Sequence, residues 1–148
     1  MTAPRLRTAR PATSGQPNRL VDESMRYVAV SLGAVLGANL RFIITNWTVD
    51  QWGAEFPYGT FIINVSGALV IGLFLAFLAG RAPINPLWRL FFVTGFLGGY
   101  TTFSSYSWEA LSLSERGAWN NFALYVVGSN VLGLAGVWLG ATLARLVP

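Results

Sequence analysis

The stretch from Thr94 to Glu109 reads Thr-Gly-Phe-Leu-Gly-Gly-Tyr-Thr-Thr-Phe-Ser-Ser-Tyr-Ser-Trp-Glu, so three glycines and six serines or threonines sit inside an otherwise apolar region. Adjacent Gly98 and Gly99, followed by Thr101 and Thr102, favour a break in a helix, because glycine has a poor helix propensity and hydroxyl side chains compete for backbone groups. A break frees carbonyl oxygens. Hard cations such as sodium prefer oxygen ligands, so carbonyls freed at membrane depth can form a cation site. The structural alternative is a flexible or closely packed helix, and composition does not separate the two. Phe103 and Tyr106 lie three positions apart and share a helix face. Such a pair either packs or turns the positive edge of its rings toward an anion. Asn64 is the one strongly polar residue inside a second apolar run, where an amide requires a partner.

Other chemistry is excluded by inventory. The 148 residues contain no cysteine and no histidine, which removes disulfides, thiolate metal sites, a Cys nucleophile and the commonest general base. The six acids lie outside the apolar runs or at their ends, and no base–nucleophile pair exists, so an enzyme is not expected. All ten basic residues are arginines, most of them at the ends of apolar runs or in the N-terminal arm. That distribution is the mark of membrane orientation rather than of a nucleic-acid patch.

The elements that must position these groups follow from hydropathy. With 53% hydrophobic and 11% charged residues, the chain is far from an average soluble domain, in which about 25% of residues are charged. A bilayer core requires about 20 apolar residues per helix, so the chain has room for four spans and little else. The runs place them at about 27–47, 58–79, 87–113 and 119–146. The expected architecture is an all-α membrane protein with four transmembrane helices, the third broken near its middle. Residues 1–24 hold Pro4, Pro11 and Pro17 with four arginines and no apolar face, and are expected to form a disordered arm ahead of a channel domain at 25–148. The arm has no apolar core of a secretory signal, and its prolines interrupt the amphipathic helix of a transit peptide. Gly33 with Gly37, and Gly136 with Gly140, recur at helical spacing and are expected to let helices approach closely, with a dimer contact as the other use.

The segment Gly-Phe-Leu-Gly-Gly-Tyr-Thr-Thr-Phe-Ser-Ser-Tyr, Gly95 to Tyr106, resembles the third-helix signature of the Fluc (CrcB) fluoride channels. Gly-Ala-Asn-Leu-Arg-Phe at Gly37 to Phe42 is similar to the first helix of that family, Gly-Thr-Phe-Ile-Ile-Asn-Val-Ser-Gly at Gly59 to Gly67 to its second, and Tyr125 with Ser129 to its fourth. The resemblance covers about Met25 to the end of the chain. It implies a fluoride-selective channel of the cell membrane that passively exports fluoride from the cytoplasm, built as an antiparallel, dual-topology dimer. A structural sodium ion, not transported, would then be held at the dimer centre by the backbone carbonyls of Gly98 and Thr101 from each subunit. The fluoride pathway would be lined by Asn64, Phe103, Tyr106 and Ser129, with Thr60, Thr102 and Tyr125 as further donors. Fluoride is small, tightly hydrated and a strong acceptor, and a pore must replace its water with donors. Thr60 with Asn64, and Tyr125 with Ser129, lie four apart, so each pair lines one face. Arg41 would either draw anions into a vestibule or snorkel to the interface.

Two positions depart from the family pattern. Tyr106 stands where the second pore aromatic is usually phenylalanine, and its hydroxyl either donates to fluoride or narrows or wets the path; on the sequence alone, its removal is expected to keep or raise conduction. Gly133 stands where some members carry another hydroxyl. Glu109 occupies a position where the family often has an acid, and no role is assigned to it from the sequence. The closest rival reading, a small multidrug-type four-helix transporter, needs a carboxylate in its first helix, and no Asp or Glu lies between Tyr27 and Trp47. Arginine distribution predicts both termini in the cytoplasm: Arg26, Arg81, Arg89 and Arg145 fall on the side of the arm, against Arg41 and Arg116 opposite. A chain so biased would pair either with an identical copy or with an oppositely oriented homologue.

Overall fold

The computed structural model describes residues 16–79 and 85–146, and these form helices joined by short connections, with no strand among the described residues. Helix α1, Gln16–Trp52, is followed by α2, Tyr58–Ala79. The third segment comprises a short α3, Pro86–Arg89, a π-helical stretch at Leu90–Leu97, α4 at Gly98–Tyr100 and, after Thr101 and Thr102, α5 at Phe103–Glu115. Helix α6, Trp119–Leu146, closes the chain. Three helical stretches, Val21–Trp52, Tyr58–Ala79 and Trp119–Leu146, are long and apolar enough to cross a membrane.

Helix α1 begins earlier than the sequence predicts. Residues 16–24, read as part of a disordered arm, are helical, whereas residues 1–15 of that arm lie outside the described residues. Pro17 does not prevent this, because it falls in the first turn, where its missing N–H would have no intrahelical acceptor.

Local chemistry sets the other ends. Asn85 caps α3 by accepting from the Leu87 N–H at 2.9 Å, with Pro86 at the first helical position. Helix α5 stops at Gly117, whose φ of +70° suits a residue without a Cβ, and the Ala118 N–H reaches back to the Leu113 carbonyl at 3.0 Å.

The helices pack as two close pairs. A Cβ on Gly33 would strike the Phe91 carbonyl and one on Gly37 the Phe96 carbonyl, so α1 lies directly on the π-helical stretch. Similarly, Gly72 of α2 faces the Val137 carbonyl, and Gly140 of α6 faces the Leu69 carbonyl. Small residues permit this approach where lipid offers no hydrophobic drive for association. Two buried clusters lie on either side of the break: Ile63, Leu97 and Tyr100 on one, Phe56, Ala110, Leu113 and Tyr125 on the other. Large apolar side chains such as Leu32, Val35, Phe42, Leu134 and Trp138 point outward, as expected of a molecule whose solvent is lipid.

Candidate functional site

The third segment breaks at Thr101 and Thr102, which are extended (φ −81°, ψ 159° and φ −151°, ψ 122°), while Gly98 and Gly99 remain helical. The break thus falls on the threonine half of the expected Gly98–Thr102 stretch, and the cause comes from another helix. Asn64 of α2 donates its Nδ2 to the Thr102 carbonyl at 3.0 Å and accepts from the Thr102 N–H at 2.9 Å, gripping one residue of the break from both sides. Thr102 then caps α5, its Oγ1 accepting from the Ser105 N–H at 3.2 Å.

These bonds divert two donors from the helix. The Thr102 N–H would ordinarily serve the Gly98 carbonyl and the Ser105 N–H that of Thr101, so both oxygens lose their i+4 partners. Gly98 and Thr101 are the two residues whose carbonyls were expected to face a cation. Arg41 is found here as well: its Nη1 lies 3.5 Å from the Thr101 carbonyl, at the break rather than in either polar cavity described below. The guanidinium thus places positive charge beside a freed oxygen.

A groove of about 330 Å³ opens beside the break, lined among others by Asn64, Thr102, Phe103, Tyr106, Ser129 and Asn130. Five of the expected pathway residues thus share one cavity. Phe103 is 80% exposed, and its ring lies 5.7 Å from that of Tyr106. The Ser129 Oγ is buried and has no hydrogen-bond partner among the described residues. That is unusual, because serine and threonine in apolar helices commonly return the O–H to a carbonyl one turn back, as Thr142 does to Trp138 at 2.9 Å.

Thr60 and Tyr125 lie elsewhere. Both are buried, and both donate to Glu109, Thr60 to Oε1 at 2.9 Å and Tyr125 to Oε2 at 2.6 Å. Their protons are committed to a carboxylate. Beyond this cluster lies a second cavity of about 380 Å³, whose lining includes Thr45, Thr48, Thr60, Glu109, Ser112 and Arg116. Glu109 is the residue that the sequence left without a role. The signal was present: an acid near the end of an apolar run is a functional candidate by default, and Thr60 and Tyr125 are the hydroxyls one turn away from Asn64 and Ser129.

Residues 28–141 match the family described as CrcB-like protein, Camphor Resistance (CrcB). The chain belongs to that family. Its relatives include the fluoride-specific ion channel FluC of Roseiflexus sp. (strain RS-1), 48% identical over 84% of this chain and 100% of the relative. The FluC channel of Solibacter usitatus is 46% identical over 82% of this chain and 99% of its own length. That of Chloroflexus aurantiacus is 47% identical over 80% and 94%. CrcB-like relatives of this kind are ion channels, not enzymes, and the apolar helices make this member a multi-pass membrane protein.

Proposed function

We propose that this chain forms a fluoride-selective channel in the cell membrane, through which fluoride leaves the cytoplasm passively. The observation that carries this reading is the unpartnered, buried Ser129 hydroxyl in a groove shared with Asn64 and Phe103, in a chain whose relatives are named for fluoride conduction. A small anion that sheds water needs donors that no protein group has already taken, and Ser129 offers one. Phe103 adds a ring edge, which attracts an anion without the tight hold of a full charge.

The third segment, Pro86 to Glu115, serves in this reading as a fourth span, its break tolerated because Asn64 and Thr102 satisfy the backbone there. The exposed Phe103 calls for a second subunit to enclose it, and the family pattern makes that subunit antiparallel. The Gly98 and Thr101 carbonyls, released from their i+4 bonds, would give four oxygens where the two breaks meet, a donor set that suits sodium once the Arg41 guanidinium gives up the Thr101 oxygen. When bound, the ion supplies a fixed positive charge between the subunits. The arginine bias favours a cytoplasmic N-terminus, with either an identical chain or an oppositely oriented homologue as partner.

The test is an electrode recording of fluoride efflux from liposomes that hold this chain alone. Fluoride efflux with chloride retained is expected. Equal fluxes of the two ions would defeat the selectivity, and absence of fluoride flux would defeat the homomeric channel.

A further inference from the structure

Tyr106 brings a hydroxyl into the groove at a position where its family usually has a plain ring, and the structure shows what holds that hydroxyl. Asn130 of α6 places its Nδ2 3.0 Å from the Tyr106 oxygen and 2.7 Å from the Val126 carbonyl. The second contact decides the direction of the first. A carbonyl only accepts, so the atom facing Val126 must be the amide nitrogen, and the orientation of the Asn130 side chain is thereby fixed. The two hydrogens of that nitrogen then go to Val126 and to Tyr106. In the Asn130–Tyr106 pair the tyrosine oxygen is the acceptor.

The Tyr106 proton is consequently left over. Among the described residues no acceptor lies within bonding distance of that hydroxyl, and Tyr106 lines the same groove as the unpartnered Ser129. An N–H occupying one lone pair of the phenolic oxygen also restricts where its O–H can point. We infer that Asn130 is a positioning residue that turns the Tyr106 O–H into the groove, making Tyr106 a second hydrogen-bond donor to the permeating anion beside Ser129. This inference rests on the channel reading above. It reverses the expectation from sequence, in which loss of the Tyr106 hydroxyl keeps or raises conduction.

The experiment is a double-mutant cycle on the full chain in liposomes, with Tyr106→Phe, Asn130→Leu and the combination, reading both maximal fluoride flux and the fluoride concentration for half-maximal flux. Tyr106→Phe keeps the ring and its packing, so it should raise the half-maximal concentration about fivefold, the factor one hydrogen bond represents. Asn130→Leu should raise it similarly, and the double variant should do no more than either change alone. A structural role for Asn130 would instead lower maximal flux through fewer folded channels and leave the half-maximal concentration in place. Unchanged concentration dependence in Tyr106→Phe, or fully additive effects in the double variant, overturns the inference while wild-type fluoride flux still stands. Should Asn130→Leu fail to fold, Tyr106→Phe alone still decides whether the hydroxyl donates, and Asn130→Ser, which cannot reach both partners, replaces it in the cycle. A wild-type chain that passes no fluoride defeats the channel reading itself, a result distinct from either.

Discussion

Two polar clusters lie on either side of the Tyr106–Tyr125 ring pair, whose centroids are 5.2 Å apart, and they dispose of their protons in opposite ways. At Glu109 the two hydroxyls that converge on the carboxylate are spent: Thr60 and Tyr125 each donate to one of its oxygens. In the groove beside the break, the Ser129 and Tyr106 hydroxyls keep protons that no described protein group accepts. Both clusters draw on the same two helix faces. Thr60 and Asn64 are one turn apart on α2, and Tyr125 and Ser129 one turn apart on α6, yet one member of each pair joins the closed cluster and the other the groove. A step of about 6 Å along a helix separates a structural use of a side chain from one that is open to a ligand.

The largest effect is expected where the groove meets the backbone. Asn64→Leu removes both bonds to Thr102 and leaves its N–H and carbonyl without partners, at a cost of about 2–4 kcal/mol for the two groups. Fluoride flux should vanish, and the midpoint of thermal unfolding in detergent should fall with it. Asn64→Asp should be intermediate, since a carboxylate still accepts from the Thr102 N–H but repels the carbonyl. Wild-type thermal stability in Asn64→Leu together with lost flux would mean that Asn64 only donates to the ion, and the grip on the break would contribute nothing.

Next comes the closed cluster. Glu109→Leu strands two buried hydroxyls, Thr60 at 4% and Tyr125 at 0% exposure, and should cost about 1–3 kcal/mol in thermal stability. Thr60→Val removes one donor and nearly preserves volume, so it should cost about 1 kcal/mol while flux per folded channel stays close to wild type. A large flux loss in Thr60→Val at unchanged stability would dissolve the contrast between the clusters.

How far these clusters can be read from sequence depends on how local their causes are. The ends of α2 and α6 are legible, because an apolar run bounded by Pro57 and another preceded by Gly117 carry their boundaries within themselves. The i,i+4 pairs are legible for the same reason. The early start of α1 is not, since residues 16–24 lack the apolar periodicity that marks a helix in sequence. Gly98 and Gly99 mark a weak helix, but the break falls at Thr102 because Asn64, 38 positions earlier in the chain, takes its N–H and carbonyl. The π-helical stretch at Leu90–Leu97 likewise has no signal in its composition. Glu109 was visible as an acid beside a span, yet only the fold shows that Thr60 and Tyr125 converge on it.

The smallest expected change in stability belongs to Ser129→Ala, and it sharpens the comparison most. In the wild type the Ser129 Oγ is buried without a partner among the described residues, so the fold already bears the cost of its desolvation. Alanine removes that cost and leaves a space no larger than one oxygen atom. Thermal stability should therefore hold or rise by up to about 1 kcal/mol, the opposite sign from Thr60→Val, although both substitutions delete one hydroxyl from a helix face. Flux should move the other way. If the free O–H receives fluoride as the ion sheds water, its loss should lower flux about fivefold, whereas Thr60→Val leaves it near wild type. Paired measurements of unfolding midpoint and fluoride efflux on these two variants thus form a crossed design. A drop in stability for Ser129→Ala would show that the hydroxyl has a structural partner in the assembled channel. Unchanged flux at unchanged stability would leave the groove without its clearest donor, and the difference between the two clusters would then have no bearing on conduction.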